Sequence, residues 1–309
     1  MNKIQNLKGG KDKNICSLDH EFTEGSCFTL KELHEIALNY NSSHKDQIRL
    51  YPTKKDMITE LDSKLKESCS DQTCWATLKF IKNNDELNMA FKAKGPAGQF
   101  DWLSTTEIND CMERYMRIYS HFLFVGAVPI DIEDLEQFGV KTLNYDKLIK
   151  KGYYIIGIVF NLDEHYKSGS HWVSFFVDFK TKRIYYSDSA GKPPEQKVKR
   201  LVKKLAEKFF ERDNPGKKIM QLPVDSYMNE SGPNAMEKIY DIRYNKLQHQ
   251  YGGSECGVYS MNFIIRLLRG DLFDEIHKSR ITDKDMNGCR PAYLRGYENI
   301  INNKKDTYC

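Results

Sequence analysis

The chain has 309 residues, 40% of them hydrophobic and 29% charged, and its 47 basic and 43 acidic side chains leave a formal net charge of +4. The hydrophobic share excludes an intrinsically disordered chain, and no apolar run approaches the ~20 residues needed to span a bilayer. Charges this evenly mixed lend little support to nucleic acid as a partner, and the length suits one large domain or two smaller ones.

From the N-terminus, residues 1–25 are polar and lack apolar periodicity, which predicts a flexible arm. No apolar stretch follows the first charges, so a secretory leader is not expected and the protein is placed inside a cell or a particle. On that ground most of the eight cysteines (16, 27, 69, 74, 111, 256, 289 and 309) are expected to be free thiols. Residues 26–95 read as a helical accessory domain. Within it Leu30, Leu33, Ile36 and Ala37 share one helix face behind a capping-box spacing of Thr29 and Glu32. A second helix is predicted over Lys54–Leu65 and a third over residues 75–81. The spacing Cys69-x4-Cys74, taken with Cys111, matches no common zinc module, so neither a metal nor another cofactor is called for.

The Gly- and Pro-containing stretch at 92–98 breaks regular structure and marks a boundary, with a core domain expected over 96–309. Ser104 and Glu107 cap a helix. Residues 153–160 read as a buried strand, while 172–179 and 183–187 form a hairpin turning at Lys180-Thr181-Lys182. Pro193-Pro194 opens an amphipathic helix that reaches Phe210 and closes at Pro215-Gly216, with Lys197, Lys199, Lys203 and Lys204 on its solvated face. A further strand is predicted at 217–223 and a long apolar helix at 257–268. Strands and helices mix without strict alternation, which predicts an α+β core.

Cys256 follows the turn Gly252-Gly253-Ser254-Glu255 and directly precedes that apolar helix. A thiol there feels the positive end of the helix dipole and free backbone N–H groups, which favour the thiolate. Gln250, six residues upstream, carries an amide able to reach the oxygen of an attacked carbonyl. His171 opens the strand at 172–179, and Asp188 closes the partner strand 17 residues later. A turn near Lys182 returns the two ends side by side, where a carboxylate can orient an imidazole. Each residue alone is more often structural. Together, in the order His, Asp, Gln, Cys and each at an element end, they predict a cysteine hydrolase.

Gly169-Ser170-His171-Trp172, Tyr186-Ser187-Asp188-Ser189, Gln250 and Glu255-Cys256-Gly257 resemble the SUMO-specific and adenovirus-type cysteine protease family. Phe91-Lys92-Ala93-Lys94-Gly95-Pro96, the Cys69-x4-Cys74 spacing, His249-Gln250 and the stretch at 279–286 are similar to its polyprotein-processing members in African swine fever virus and in amoeba-infecting giant viruses. The resemblance implies a papain-like, adenain-type core with His171 as base, Asp188 as orienting acid, Gln250 as oxyanion amide and Cys256 as nucleophile. The African swine fever virus member carries asparagine where Asp188 stands, and either side chain can orient a histidine.

Asp101-Trp102-Leu103 resembles the segment that opens the SUMO protease core. There one tryptophan from this segment and the one after the catalytic histidine clamp a Gly-Gly dipeptide, which implies Trp102 and Trp172 as substrate-binding residues. The resemblance thus implies an endopeptidase acting on a protein substrate with a Gly-Gly-x site. It also implies viral structural polyproteins as targets during virion maturation, in the virion and the host cytoplasm, with Gly9-Gly10 a candidate self-cleavage site. The alternatives are removal of ubiquitin-like modifiers from host proteins, acetyl transfer through a related fold, and a non-catalytic binding module.

Overall fold

The computed structural model describes residues 15–98, 100–135, 144–216, 240–297, 299–300 and 308–309. The strand expected at 217–223 and the Gly9-Gly10 pair lie outside the described residues. The described residues fall into two units, one drawn from Met1–Gly95 and Pro291–Ile301, the other from Pro96–Arg290 and Asn302–Cys309.

In the first unit, α1 (Leu30–Asn41) starts at Thr29 with both halves of a capping box formed, and α2 (Lys54–Leu65) starts at Thr53, whose side chain accepts the Asp56 N–H. Both caps satisfy backbone donors that a helix start leaves unpaired. The third helix expected at 75–81 does not form. Only one turn, α3 (Gln72–Trp75), is capped by Asp71, and beyond it Thr77 and Ile81 bond three residues back instead of four. A disulfide between Cys69 and Cys74, with Cα atoms 5.6 Å apart, bends the chain just there. Another short helix, α4 (Asn84–Asn88), follows.

The arm read as flexible to residue 25 is anchored from Ile15 onward. Ser17 N–H donates to Ala90 at 3.0 Å, Lys92 N–H to Ile15 at 2.9 Å, and Cys16 is bonded to Cys27. The core read as continuous over 96–309 also gives up a piece, because Leu294–Arg295 pairs in parallel with Ala93–Lys94 of the first unit.

The second unit is built on five strands, β1 (Phe122–Pro129), β2 (Ile155–Asn161), β3 (Trp172–Asp178), β4 (Arg183–Ser187) and β5 (Asp241–Tyr244), adjacent in that order. The outer pairs β1/β2 and β4/β5 are parallel, and β2/β3 and β3/β4 antiparallel. β1 and β5 are additions to the sequence reading. Every residue of β2 and β3 is buried, which is why both read as continuous apolar runs.

On one face Ile158, Val173, Phe175 and Val177 pack with Val198, Leu201, Leu205 and Phe209 of α7 (Gln196–Asp213). The other face is approached so closely that a Cβ added to Gly157 would lie 2.8 Å from Phe122 and 3.3 Å from Ile264. Ile264 belongs to α8 (Cys256–Arg269), twelve of whose fourteen residues are buried. A helix apolar all round must be enclosed, and its enclosure fixes where its first residue, Cys256, sits. The result is the α+β architecture anticipated, a mixed sheet flanked by helices with a cysteine at a helix N-terminus.

The expectation of mostly free thiols is corrected. Cys289 and Cys309 form a third disulfide with Cα atoms 5.3 Å apart, and among the described cysteines Cys111 and Cys256 alone form no disulfide, both being buried. Pairing is decided by the Cα separations that folding imposes, which the sequence does not display.

Candidate active site

His171 directly precedes β3, and its carbonyl accepts the Leu162 N–H at 2.9 Å, so the β2/β3 ladder fixes its backbone. The hairpin turns at Lys182, which adopts φ 59°, and register Ser174↔Ser187 brings Asp188 back beside the start of β3. The His171 ring then lies with Nε2 2.7 Å from Asp188 Oδ1. Cys256 reaches the same imidazole through a side-chain hydrogen bond. Because Nε2 is taken by Asp188, Nδ1 is the nitrogen left for the thiol. Burial alone would hold the imidazole below its ordinary value, but the hydrogen bonds to Asp188 and Cys256 and their negative charges prevail and raise it from 6.5 to about 9. An imidazolium so favoured is the partner a thiolate requires.

Asp188 is itself held. Its backbone N–H donates to Asn245 Oδ1 at 2.8 Å, and Asn245 Nδ2 donates back to the Asp188 carbonyl at 2.7 Å. The approach is tight, since a Cβ on Gly191, at φ 71°, would lie 2.8 Å from the Gln248 nitrogen. Asn245 is 1% exposed, a buried bracket that no local signal in the sequence marked.

Gln250 joins this group through the next residue. Ser189 Oγ donates to Gln250 Oε1 at 2.6 Å, Ser189 carbonyl accepts the Gln250 N–H at 2.9 Å, and Gln250 Nε2 donates to the Gly252 carbonyl at 3.0 Å. With Oε1 occupied, the amide presents nitrogen to the turn before Cys256, with a second N–H beyond the one that Gly252 accepts.

That turn is fastened from α10 (Asp283–Asn287) and the residues before it. Asp283 Oδ2 accepts both the Tyr251 and Gly252 N–H groups at 3.0 Å, and Oδ1 accepts from the Tyr259 hydroxyl at 3.2 Å. Arg280 Nε donates to the His249 carbonyl at 2.9 Å while its guanidinium stacks 4.2 Å over the Tyr251 ring. Glu255 closes the turn by accepting from Ser254 N–H at 3.0 Å and Asn287 Nδ2 at 2.9 Å. A Cβ at Gly252 would lie 2.6 Å from the Glu255 carboxylate, so a side chain there would push that carboxylate aside.

Trp172 is buried and donates from Nε1 to the Leu103 carbonyl at 2.8 Å, while half-exposed Trp102 donates to the Gly253 carbonyl. Both line one cleft of about 430 Å³. The fold therefore brings His171, Asp188 and Cys256 together, ties Gln250 to them through Ser189, and sets the two tryptophans along a shared wall. Asn245, Ser189, Arg280 and Asp283 are additions to the sequence reading. Among the described residues no cluster of three or more His, Cys, Asp or Glu side chains could hold a metal ion, and no helix is long and apolar enough to cross a membrane.

A model of the Ulp1 protease family, C-terminal catalytic domain, matches residues 140–304. A protein of Acanthamoeba polyphaga mimivirus named as a thiol protease is 32% identical over 305 residues, covering 91% of this chain and 93% of its own. A cysteine protease of African swine fever virus (strain Badajoz 1971 Vero-adapted) is 23% identical over 279 residues, covering 82% of this chain and 93% of its own. A crystal structure of the African swine fever virus protease superimposes with a TM-score of 0.57 at 21% identity, over 92% of this chain and 96% of that one, which shows the shared fold. The match to the family model across more than half of the chain, and the mimivirus relative across nine-tenths of it, make this protein a member of the Ulp1 family of cysteine proteases.

Proposed function

We propose that the protein is an endopeptidase that cleaves after a Gly-Gly pair, with Cys256 as nucleophile, His171 as base and acid, Asp188 as orienting carboxylate and Gln250 as oxyanion donor. The observation that carries the reading is the His171 imidazole, bound to Asp188 at 2.7 Å on one nitrogen and to Cys256 through its other contact.

The Cys256 thiolate adds to the scissile carbonyl, and the Gln250 amide and the Cys256 backbone N–H at the helix start stabilise the oxyanion. His171 protonates the departing amine and then draws the proton from water that hydrolyses the thioester. The Asp188 carboxylate fixes the ring and balances its charge. Trp102 and Trp172 along one wall exclude side chains next to the scissile bond, and this supports glycine as the residue admitted.

The substrates we assign are viral structural polyproteins, cleaved during particle maturation in the infected cytoplasm and the virion. The likeness to a cysteine protease of African swine fever virus and to a mimivirus protein supports a viral setting. Incubation with a capsid-precursor peptide bearing Gly-Gly-x and, separately, with a ubiquitin-like protein reporter tests the assignment by mass spectrometry. Cleavage after Gly-Gly in the precursor peptide, lost in Cys256→Ala, is expected. Efficient cleavage of the modifier reporter alone would transfer the enzyme to the isopeptidases.

A further inference from the structure

The cleft beside the two tryptophans contains a second histidine–carboxylate pair that the proposed chemistry leaves unused. His165 Nδ1 lies 2.7 Å from Asp131 Oδ2, and Asp131 Oδ1 accepts the His165 backbone N–H at 3.0 Å, so one buried carboxylate grips both ring and backbone. A carboxylate can only accept, so Nδ1 carries a proton, and in that tautomer Nε2 is an acceptor.

Asp163 lines the same cleft, and among the described residues its carboxylate accepts no hydrogen bond and forms no ion pair within 4 Å, its charge acting on Lys167 from farther off. The other charges on this wall are engaged with each other, Glu164 with Lys197 at 3.0 Å and with Lys167 at 3.4 Å. The loop is built in place, because Asn161 Oδ1 accepts the N–H groups of both Asp163, at 3.0 Å, and Ser170, at 3.1 Å. The same cleft is lined by apolar surface from Trp102, Trp172, Val128 and Pro129.

Two acceptors, one of them anionic, in a cleft that also has apolar lining fit a side chain with a long aliphatic stem and several donors. Lysine supplies three N–H donors and arginine five, and both lay their methylene stems along apolar surface. A glutamate would meet Asp163 with like charge, and a leucine would leave both acceptors unfilled. An extended substrate advances about 3.3 Å per residue, so residues just before a Gly-Gly pair held at Trp102 and Trp172 pass along this wall.

We infer that this cleft is a subsite for a lysine or arginine one or two residues to the N-terminal side of the cleaved Gly-Gly pair, recognised by Asp163 and His165. The inference rests on the reading that the two tryptophans hold that pair.

The test uses the full-length protein and fluorogenic peptides X-Gly-Gly and X-Ala-Gly-Gly, with X as Arg, Lys, Gln, Leu or Glu. In one of the two series kcat/KM for Arg and Lys should exceed that for Glu by about tenfold or more, the scale of one charge-assisted hydrogen bond. Asp163→Lys should reverse the order of Arg and Glu, and His165→Phe, which keeps the ring volume, should shrink the basic advantage. A flat profile in both series with glycine dependence intact, or an order unmoved by Asp163→Lys, overturns the subsite. Failure to cleave any Gly-Gly peptide overturns the underlying reading of the tryptophan pair instead.

Discussion

Ser189 Oγ donates to Gln250 Oε1 at 2.6 Å, and that bond decides which end of the Gln250 amide faces the turn before Cys256. Without it the amide could rotate and offer an oxygen to a developing oxyanion. Gln250→Ala is expected to lower kcat by about a hundredfold or more, the usual cost of a lost oxyanion donor, with KM changed little. Ser189→Ala should cost about tenfold, and adding it to Gln250→Ala should cost nothing further, because it acts only through that amide. Steady-state kinetics on one Gly-Gly peptide reads all three variants.

On the proposed mechanism the His171 imidazole, raised to about 9, sets the alkaline limit of activity. It holds its proton below that value and loses it above, so kcat/KM should fall as pH rises through about 9. Asp188→Asn keeps a hydrogen-bonding side chain but removes the charge that stabilises the imidazolium, so the alkaline limb should move to lower pH. A pH profile of kcat/KM for the two proteins checks the direction.

Asp283 holds the turn between Gln250 and Cys256 through two backbone N–H groups and one hydroxyl. Asp283→Ala leaves the two backbone donors without that acceptor, while the Tyr259 hydroxyl keeps the Ile281 carbonyl at 2.8 Å, and is expected to destabilise the fold by about 1–3 kcal/mol, read by denaturant unfolding. It should also lower kcat about tenfold by loosening the oxyanion group. Asp283→Asn, which retains an acceptor oxygen, should recover part of both losses.

A pair of histidines lies behind the turn, His249 Nε2 3.0 Å from His277 Nδ1, and Ile281 N–H donates to His249 Nδ1 at 3.1 Å. Burial, followed by the charges of Arg280 and Arg266, lowers His249 from 6.5 to about 4, and burial lowers His277 to about 3. Both stay neutral in the folded chain where the unfolded chain would bind protons. Their contribution is therefore complete above pH 6.5 and lost as pH falls toward 4 and 3. Unfolding free energy should drop by several kcal/mol over that fall, and His277→Phe should flatten the slope.

Local signals were the legible part of this molecule. Thr29 with Glu32 and Ser104 with Glu107 announced helix starts because capping is a contact within one turn, and both boxes form. The hairpin placed His171 beside Asp188 because strand register and a short turn leave one solution. What escaped depends on distance along the chain. Asn245 reaches Asp188 across 57 residues with nothing nearby to mark it, and Asp283 reaches Gly252 across 31 from a stretch that the family resemblance picked out but no local pattern tied to the turn. The β1 run Phe122–Pro129 carried an apolar signal without alternation, and four-residue β5 was too short to stand out at a sheet edge. The disulfides needed the Cα separations that only the folded chain provides.

The most direct test of the central claim is a covalent one. A peptide ending in Gly-Gly and carrying a vinyl sulfone in place of the scissile bond is incubated with the protein, and the adduct is mapped by mass spectrometry after digestion. The account requires one adduct per chain, on Cys256, slowed in His171→Ala and absent in Cys256→Ala. An adduct on Cys111, or equal labelling by a peptide with bulky residues in place of the two glycines, would contradict it.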